Sequence, residues 1–565
     1  MSFTADSWEG LTVHHRRRPA VAAAGVLALA GSFLLAVQPA AAAPVSAVER
    51  EFTERTPERY RDQQLAWAPC SAQQVGPLAS LVGGLECAQV AVPRDWDSPE
   101  EGEALQVTIS REPRQGPRPE RTIITNPGGP GGAGLSMAAL GSSVPALAGT
   151  EVIGLDVRGT GASSALTCGA DVPAGEAAPD VRDRSPEALA LAAKQARTVA
   201  EACAADPLAD VVNTRQTVYD IDLVRDALDR ETVDWVGYSG GTWLGTQYAT
   251  HLPGRVGRFV LDSTVDATAG YQEVFSYQPM AFQRRFEQDF LPWVASQHAT
   301  FGLGTNAEEV GATYERLRAG LVRHPLVLPG LLHVDGNVLD SLTVQALYSK
   351  DSFALQAWVL TALQAVEALR GGTGAPVPAG VSAHLADLVR QLDPTGPTEA
   401  QKMQATFFAT TCNDSPWTTD QAYWDARGNE QGAKYPLVGY SQSTQVCAYW
   451  DRPELDLPEV TGADLPPLLI VQSRNDPATA YEGALKTHEA LGSSVMITVE
   501  DEGDHGLYGM GNACVDDVVG AFLTTGEVPA GDVTCQGSPA PVPSGTGGGD
   551  VVAEVLRAAR AAVTR

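Results

Sequence analysis

The stretch Gly237-Tyr238-Ser239-Gly240-Gly241 lies between a short apolar run, Val233 to Gly237, and a segment of helical pattern, Thr242 to Thr250. A G-x-S-x-G sequence between strand and helix makes a sharp turn that presents the serine hydroxyl at a sheet edge. Glycines flank such a serine because a Cβ there would collide with the neighbouring strand or helix. A serine hydroxyl is a weak nucleophile at neutral pH and needs a base. In this arrangement a carboxylate and then a histidine follow in chain order. Six histidines follow His251: His298, His324, His333, His384, His488 and His505. Of these, His505 alone stands in a polar glycine-rich loop after a strand-like run, Asp501-Glu502-Gly503-Asp504-His505-Gly506. It is the expected base.

The acid should follow the preceding strand. Leu468 to Gln472 reads as that strand and leads into Ser473-Arg474-Asn475-Asp476-Pro477, so Asp476 is the candidate. Its carboxylate would fix the His505 tautomer and stabilise the imidazolium. Asp262, at the end of the strand Phe259 to Asp262, is the rival. Asp501, Glu502 and Asp504 stand too close to His505 in the chain to orient it and are expected to be solvated.

Attack by serine on a carbonyl also requires two N–H donors for the developing oxyanion. Gly240, after the nucleophile, would supply one. The other is expected from the loop Asn126 to Gly134, at Gly128 or Gly129, where missing side chains let backbone approach substrate. A phosphate-binding loop would need G-K-[ST], and this loop has no lysine. Gly159-Thr160-Gly161 lacks the third glycine of a dinucleotide fingerprint.

These residues must be held by a sheet. Short apolar runs at Thr122 to Thr125, Val152 to Asp156, Val233 to Gly237 and Phe259 to Asp262 alternate with helical pattern such as Thr217 to Leu228. That alternation implies a mostly parallel sheet covered on both faces. It stops near residue 267, and strand-like runs resume only at Leu468 to Gln472 and Val495 to Val499. The expected organisation is a core in two parts, residues 43–266 and 461–535, with a mainly helical cap insertion at 267–460. Residues 536–565 read as a Gly/Pro/Ser-rich tether with a short amphipathic helix at its end.

The 565 residues carry a formal net charge of −29, which offers nucleic acid no basic footprint. Arg16-Arg17-Arg18, the Ala-rich run Ala20 to Val37 and the small residues Ala40 to Ala43 follow the order of an export signal, residues 1–42. Cleavage there would leave no stable membrane anchor, and no other apolar stretch reads as a span. The eight cysteines form no C-x-x-C. An exported chain with an even count suggests four bridges between sequence neighbours: Cys70–Cys87, Cys168–Cys203, Cys412–Cys447 and Cys514–Cys535.

Taken together, the sequence resembles the secreted tripeptidyl-aminopeptidase group of bacterial α/β-hydrolases, relatives of proline iminopeptidase. The matching stretches are Asn126 to Gly134, Asp156-Val157-Arg158-Gly159-Thr160-Gly161, Gly237 to Gly241, Thr411-Cys412-Asn413-Asp414, Asp476-Pro477-Ala478-Thr479 and Gly503-Asp504-His505-Gly506. They span about Trp67 to Cys535. The resemblance implies the α/β-hydrolase fold, a triad of Ser239, Asp476 and His505, no metal or organic cofactor, and release of short peptides from free amino termini. Two departures stand out. The aromatic-rich segment Phe290-Leu291-Pro292-Trp293 lacks the extra cysteine pair of many members, and Asn126-Pro127 stands where proline iminopeptidases carry a histidine.

An exopeptidase needs a carboxylate for the substrate ammonium; Asp414 and Glu273 are the candidates. Two other functions share these residues: a small-molecule esterase or amidase with the same triad, and an idle binding protein on the same fold. Spacing alone does not separate the first from a peptidase. The complete triad and loop argue against the second.

Overall fold

Apolar, β-branched runs become the strands that the pattern implies. The computed structural model describes residues 56–75, 84–114, 116–168, 178–327, 333–371, 385–386, 397–451 and 455–543. The expected export signal, the expected C-terminal helix and His384 lie outside the described residues. The strands are β1 (Ala68–Pro69), β2 (Glu86–Val92), β3 (Leu105–Arg111), β4 (Thr122–Asn126), β5 (Glu151–Asp156), β6 (Val233–Tyr238) and β7 (Val256–Asp262), then β8 (Leu326–Val327), β9 (His333–Val334), β10 (Leu469–Ser473), β11 (Val495–Glu500) and β12 (Val533–Gln536). Ten of them form one sheet in the order β1-β2-β3-β5-β4-β6-β7-β10-β11-β12. Pairing is antiparallel from β1 to β5 and parallel from β5 onward.

The parallel strands are buried on both faces, so their sequences are continuous apolar runs rather than alternating ones. Along β6, Val233 and Trp235 pack into one hydrophobic cluster while Val236 and Tyr238 enter another. The helices Thr214–Ala227 and Gly240–His251 help cover the first face, and Ala513–Thr525 helps cover the second. Because β4, β6, β7, β10 and β11 are successive neighbours, the loops at their carboxyl ends share one edge. That edge is where open α/β sheets place their sites.

Among the described residues between β7 and β10 the elements are helices, apart from the antiparallel pair β8–β9. The longer ones include Gln278–Arg285, Ala307–Arg323, Gly336–Ala346, Phe353–Arg370, Pro397–Asp414 and Gln421–Lys434. Much of this region has its own core around Phe286, Phe290, Trp293, Tyr314, Phe353 and Trp358. Among the described residues one stretch, Lys350–Arg370, is long and apolar enough to cross a membrane, contrary to the sequence reading. Half of that stretch is buried within the protein. Its Phe353, Trp358, Leu360 and Leu363 fill the core of the insertion, which accounts for their apolar character.

The cysteines pair as sequence neighbours, Cys70–Cys87, Cys168–Cys203, Cys412–Cys447 and Cys514–Cys535. Two of these bridges lie in a single buried cluster with Ala405, Ala409 and Trp450: Cys168–Cys203 ties the segment after β5 to helix Pro186–Ala204, and Cys412–Cys447 ties helix Pro397–Asp414 to the turn Val446–Tyr449.

Candidate active site

Ser239 follows β6 directly and caps helix Gly240–His251, with φ 55° and ψ −126°. A non-glycine residue in this conformation is strained and persists only where its surroundings enforce it. Here its N–H donates to the Asp262 carbonyl at 3.0 Å, and the Ser239 carbonyl accepts from Thr242 Oγ1 at 2.6 Å. Tyr238 and Gly240 on either side are buried, whereas Ser239 is half-buried.

The glycine loop packs onto this turn. A Cβ on Gly128 would stand 2.5 Å from the Gly240 nitrogen and 2.4 Å from the Tyr238 oxygen, so only glycine fits. The Gly128 N–H already donates to Asn126 Oδ1 at 2.9 Å. Of the two loop glycines anticipated as donors, Gly128 is therefore engaged by Asn126, while Gly129 packs against Gly240. The far end of the loop is tied by Asp156, whose Oδ1 accepts from Gly134 N at 2.7 Å and from Leu135 N at 3.3 Å. Burial pushes that carboxyl up to about 6.

Asp476 follows β10 and His505 follows β11. Both Asp476 oxygens lie 3.0 Å from His505 Nδ1. Oδ1 also accepts from the N–H groups of Ala478 and Thr479, which fixes the carboxylate in its turn. Nε2 of His505 is buried without a hydrogen-bond partner, so it is not bonded to Ser239. Such contacts are often open before substrate arrives. Burial disfavours the imidazolium, but the charge and hydrogen bond of Asp476, with the charge of Asp262, leave the His505 pKa raised. Asp262 itself is fully buried and serves the backbone of the same loop. Its Oδ2 accepts from Leu507 N at 2.9 Å and Tyr508 N at 2.7 Å. Burial pushes it up to about 6.

The two ammonium candidates part company. Glu273 is exposed on the short helix Tyr271–Val274. Asp414 is buried; its Oδ1 accepts from Thr214 N at 2.9 Å, and its Oδ2 has no partner. Burial pushes it up to about 7. The buried Tyr271 hydroxyl, within electrostatic reach of Asp414, is also unpartnered. Thr214, Trp243 and Tyr271 line a cavity of about 20 Å³ that reaches Gly240, Pro130 and Gly131.

Glu502 and Asp504 are not solvated as expected from the sequence. Both are buried or nearly so, because residues of the insertion close over them. Lys350 Nζ pairs with Glu502, and Arg285 pairs with Asp504. Asp501 is exposed. The same region also reaches His505 directly: the Tyr348 carbonyl accepts from His505 N at 2.8 Å, and the two rings meet edge to face at 5.1 Å. Sequence reasoning missed Tyr348, Arg285 and Lys350, since nothing local marks them.

The fold and the edge it builds are those of an α/β-hydrolase with a serine at the elbow. Residues 121–314 match the family described as alpha/beta hydrolase fold, and residues 435–535 match the one described as TAP-like protein. The tripeptidyl aminopeptidase of Streptomyces coelicolor is 32% identical over 503 residues, 84% of this chain and 87% of its own. The serine protease Hip1 of Mycobacterium tuberculosis is 28% identical, covering 85% of this chain and 92% of its own. Carboxylesterase B of Mycobacterium tuberculosis is 30% identical, covering 92% and 99%. The chain belongs to the tripeptidyl aminopeptidase family and is a serine hydrolase of aminopeptidase type.

Proposed function

We propose that this is a secreted serine exopeptidase that releases short peptides, tripeptides in particular, from free amino termini through an acyl-enzyme. Ser239 is the nucleophile, His505 the base and Asp476 its orienting acid. The observation that carries the reading is the contact of both Asp476 oxygens with His505 Nδ1, on the sheet edge that bears Ser239. Nδ1 donates to the carboxylate, which leaves Nε2 as the acceptor for the serine proton. Ser239 Oγ then attacks the scissile carbonyl, whose oxygen collects negative charge opposite the N–H groups of Gly240 and Gly129. His505 returns the proton to the leaving amine, and water, activated by the same nitrogen, releases the peptide.

The insertion at 267–460 serves as a cap over the edge formed by the two core parts, 43–266 and 461–535. Four disulfides suit export, with residues 1–42 as the removable signal. The second reading, an esterase or amidase, gains support from the relative named carboxylesterase B. A panel of tripeptide anilides with free and acetylated amino termini, run beside simple aryl esters, separates the two. Free tripeptides should be turned over far faster than acetylated ones. Equal rates on both peptide sets, with faster ester cleavage, would favour the second reading.

A further inference from the structure

Arg285 closes the helix Gln278–Arg285 in the insertion, yet its side chain is 3% exposed and reaches the core. Nη2 meets Asp504, the residue before His505. Nη1 meets Asp289 at 2.8 Å. The two oxygens of Asp289 in turn accept from Asn475 Nδ2 at 3.1 and 3.2 Å, and Asn475 is the residue before Asp476. Nε donates to the Leu347 carbonyl at 3.3 Å, and the guanidinium lies over the Phe353 ring at 4.9 Å. One cation therefore links the loop of the acid with the loop of the base. The crossing depends on Gly503, where a Cβ would stand 2.2 Å from Arg285 Nη1. Lys350 reinforces it from the same insertion, its N–H donating to Asp504 at 2.7 Å and its ammonium pairing with Glu502.

We propose that Arg285 is a positioning residue that sets the separation of Asp476 from His505 by holding the two loops together from the cap. The proposal rests on the triad roles given above. Guanidinium geometry suits this task because its planar fork serves two carboxylates at once, which a lysine ammonium on a flexible stem does not reproduce. Sub-ångström placement matters here: misplacing a reacting group by about 1 Å costs about a hundredfold in rate. Asp476 and Asp262 are the charges that raise the His505 pKa, while Asp504, Glu502, Asp289, Arg285 and Lys350 surround its loop and that of Asp476. Loosening the link should weaken the Asp476 contact first.

Fluorophosphonate labelling of Ser239 against pH tests this without assuming any peptide substrate. In Arg285→Met the labelling rate should fall about a hundredfold, its pH midpoint should move down, and peptide kcat should fall with KM little changed. Arg285→Lys should lose less. A folded Arg285→Met that labels at the wild-type rate with an unmoved midpoint would overturn the proposal. Should that variant fail to fold, Asn475→Ala breaks only the outer link at a half-exposed side chain. Labelling slowed several-fold with a lowered midpoint supports the proposal, and unchanged labelling overturns it. Label persisting in Ser239→Ala overturns the nucleophile reading and the proposal together. A silent Ser239→Ala beside a normal Arg285→Met overturns the proposal alone.

Discussion

Asp476 holds both carboxylate oxygens 3.0 Å from His505 Nδ1, while Asp262 gives its Oδ2 to the backbone of the same loop at Leu507 and Tyr508. The two buried acids therefore differ in what they touch, one the ring and the other the chain that carries it. Asp476→Asn should lower kcat on the order of ten-thousandfold, because an amide donor at that place favours the wrong tautomer. Asp262→Asn should cost stability instead, about 1–3 kcal/mol for disturbed buried hydrogen bonds, and far less in kcat. Steady-state kinetics with thermal melts of both variants check this; the reverse pattern would exchange the two roles.

The raised pKa of His505 predicts a pH dependence with a definite sign. The base must be neutral to work, so kcat/KM should rise with pH through a midpoint above the ordinary histidine value of about 6.5. The stabilisation from its pairing runs the other way. It is complete below the unfolded value and is lost as pH rises through the folded one. Since the Asp262 charge helps raise the pKa, Asp262→Asn should move the activity midpoint down. Labelling rates measured from pH 5 to 9, a range chosen around the value above, give both midpoints. An upward move in the variant would contradict the assignment.

Arg158 offers a test of the scaffold. It is fully buried, and its fork meets Asp220 through two hydrogen bonds of 2.6 Å. It also donates to the carbonyls of Pro93, Arg94 and Val211, pinning the turn after β5 to helix Thr214–Ala227. Arg158→Met would strand the Asp220 charge and should cost about 3–5 kcal/mol. Adding Asp220→Leu should recover part of that loss. Chemical denaturation of the single and double variants measures it; a single variant as stable as the wild type would refute the expectation.

The candidate site was legible where one short segment carries it. Ser239, Asp476 and His505 each follow a buried parallel strand, and such strands announce themselves as brief apolar runs. The glycine loop after β4 was legible for the same reason. The strands toward the two ends of the sheet were not: β2, Glu-Cys-Ala-Gln-Val-Ala-Val, has no clean alternation, and the edge strand β12 is short and partly exposed. Helix Pro186–Ala204 is so rich in alanine that its buried face barely contrasts with its exposed one. The clamp on the base loop was out of reach. Arg285 and Asp504 are 219 residues apart, and Lys350 and Glu502 are 152 apart, so only the fold brings each pair together. Glu273 looked equivalent to Asp414 as a carboxylate; burial alone distinguishes them.

Asp414 yields the prediction that bears most closely on the substrate. Its Oδ2 and the Tyr271 hydroxyl are both buried without partners, and Tyr271 and Thr214, the latter bonded to Asp414, line a cavity with about 20 Å³ of room. That is enough for one water, or for a group of similar size such as an ammonium. Trp243, which lines the cavity, stands four residues beyond Ser239 on the same helix, a rise of roughly 6 Å. Burial pushes the carboxyl up to about 7, so near neutrality it can lose its proton as a cation arrives. A peptide α-amino group, with a pKa of about 8, is still charged there. Binding of free peptides should therefore tighten as pH rises through about 7 and weaken as the ammonium deprotonates above about 8. Acetylated peptides should show neither limb from this source. Asp414→Asn keeps an acceptor for Thr214 N, so the fold should survive, but the ammonium loses its counter-charge. Removing one partner of a buried pair costs about 3–5 kcal/mol, so kcat/KM on free peptides should fall at least about a hundredfold, with the slow rate on acetylated peptides unchanged. Glu273→Gln, at an exposed position, should leave both rates alone. Equal losses on free and acetylated peptides in Asp414→Asn would show that Asp414 serves helix Thr214–Ala227 and not the substrate.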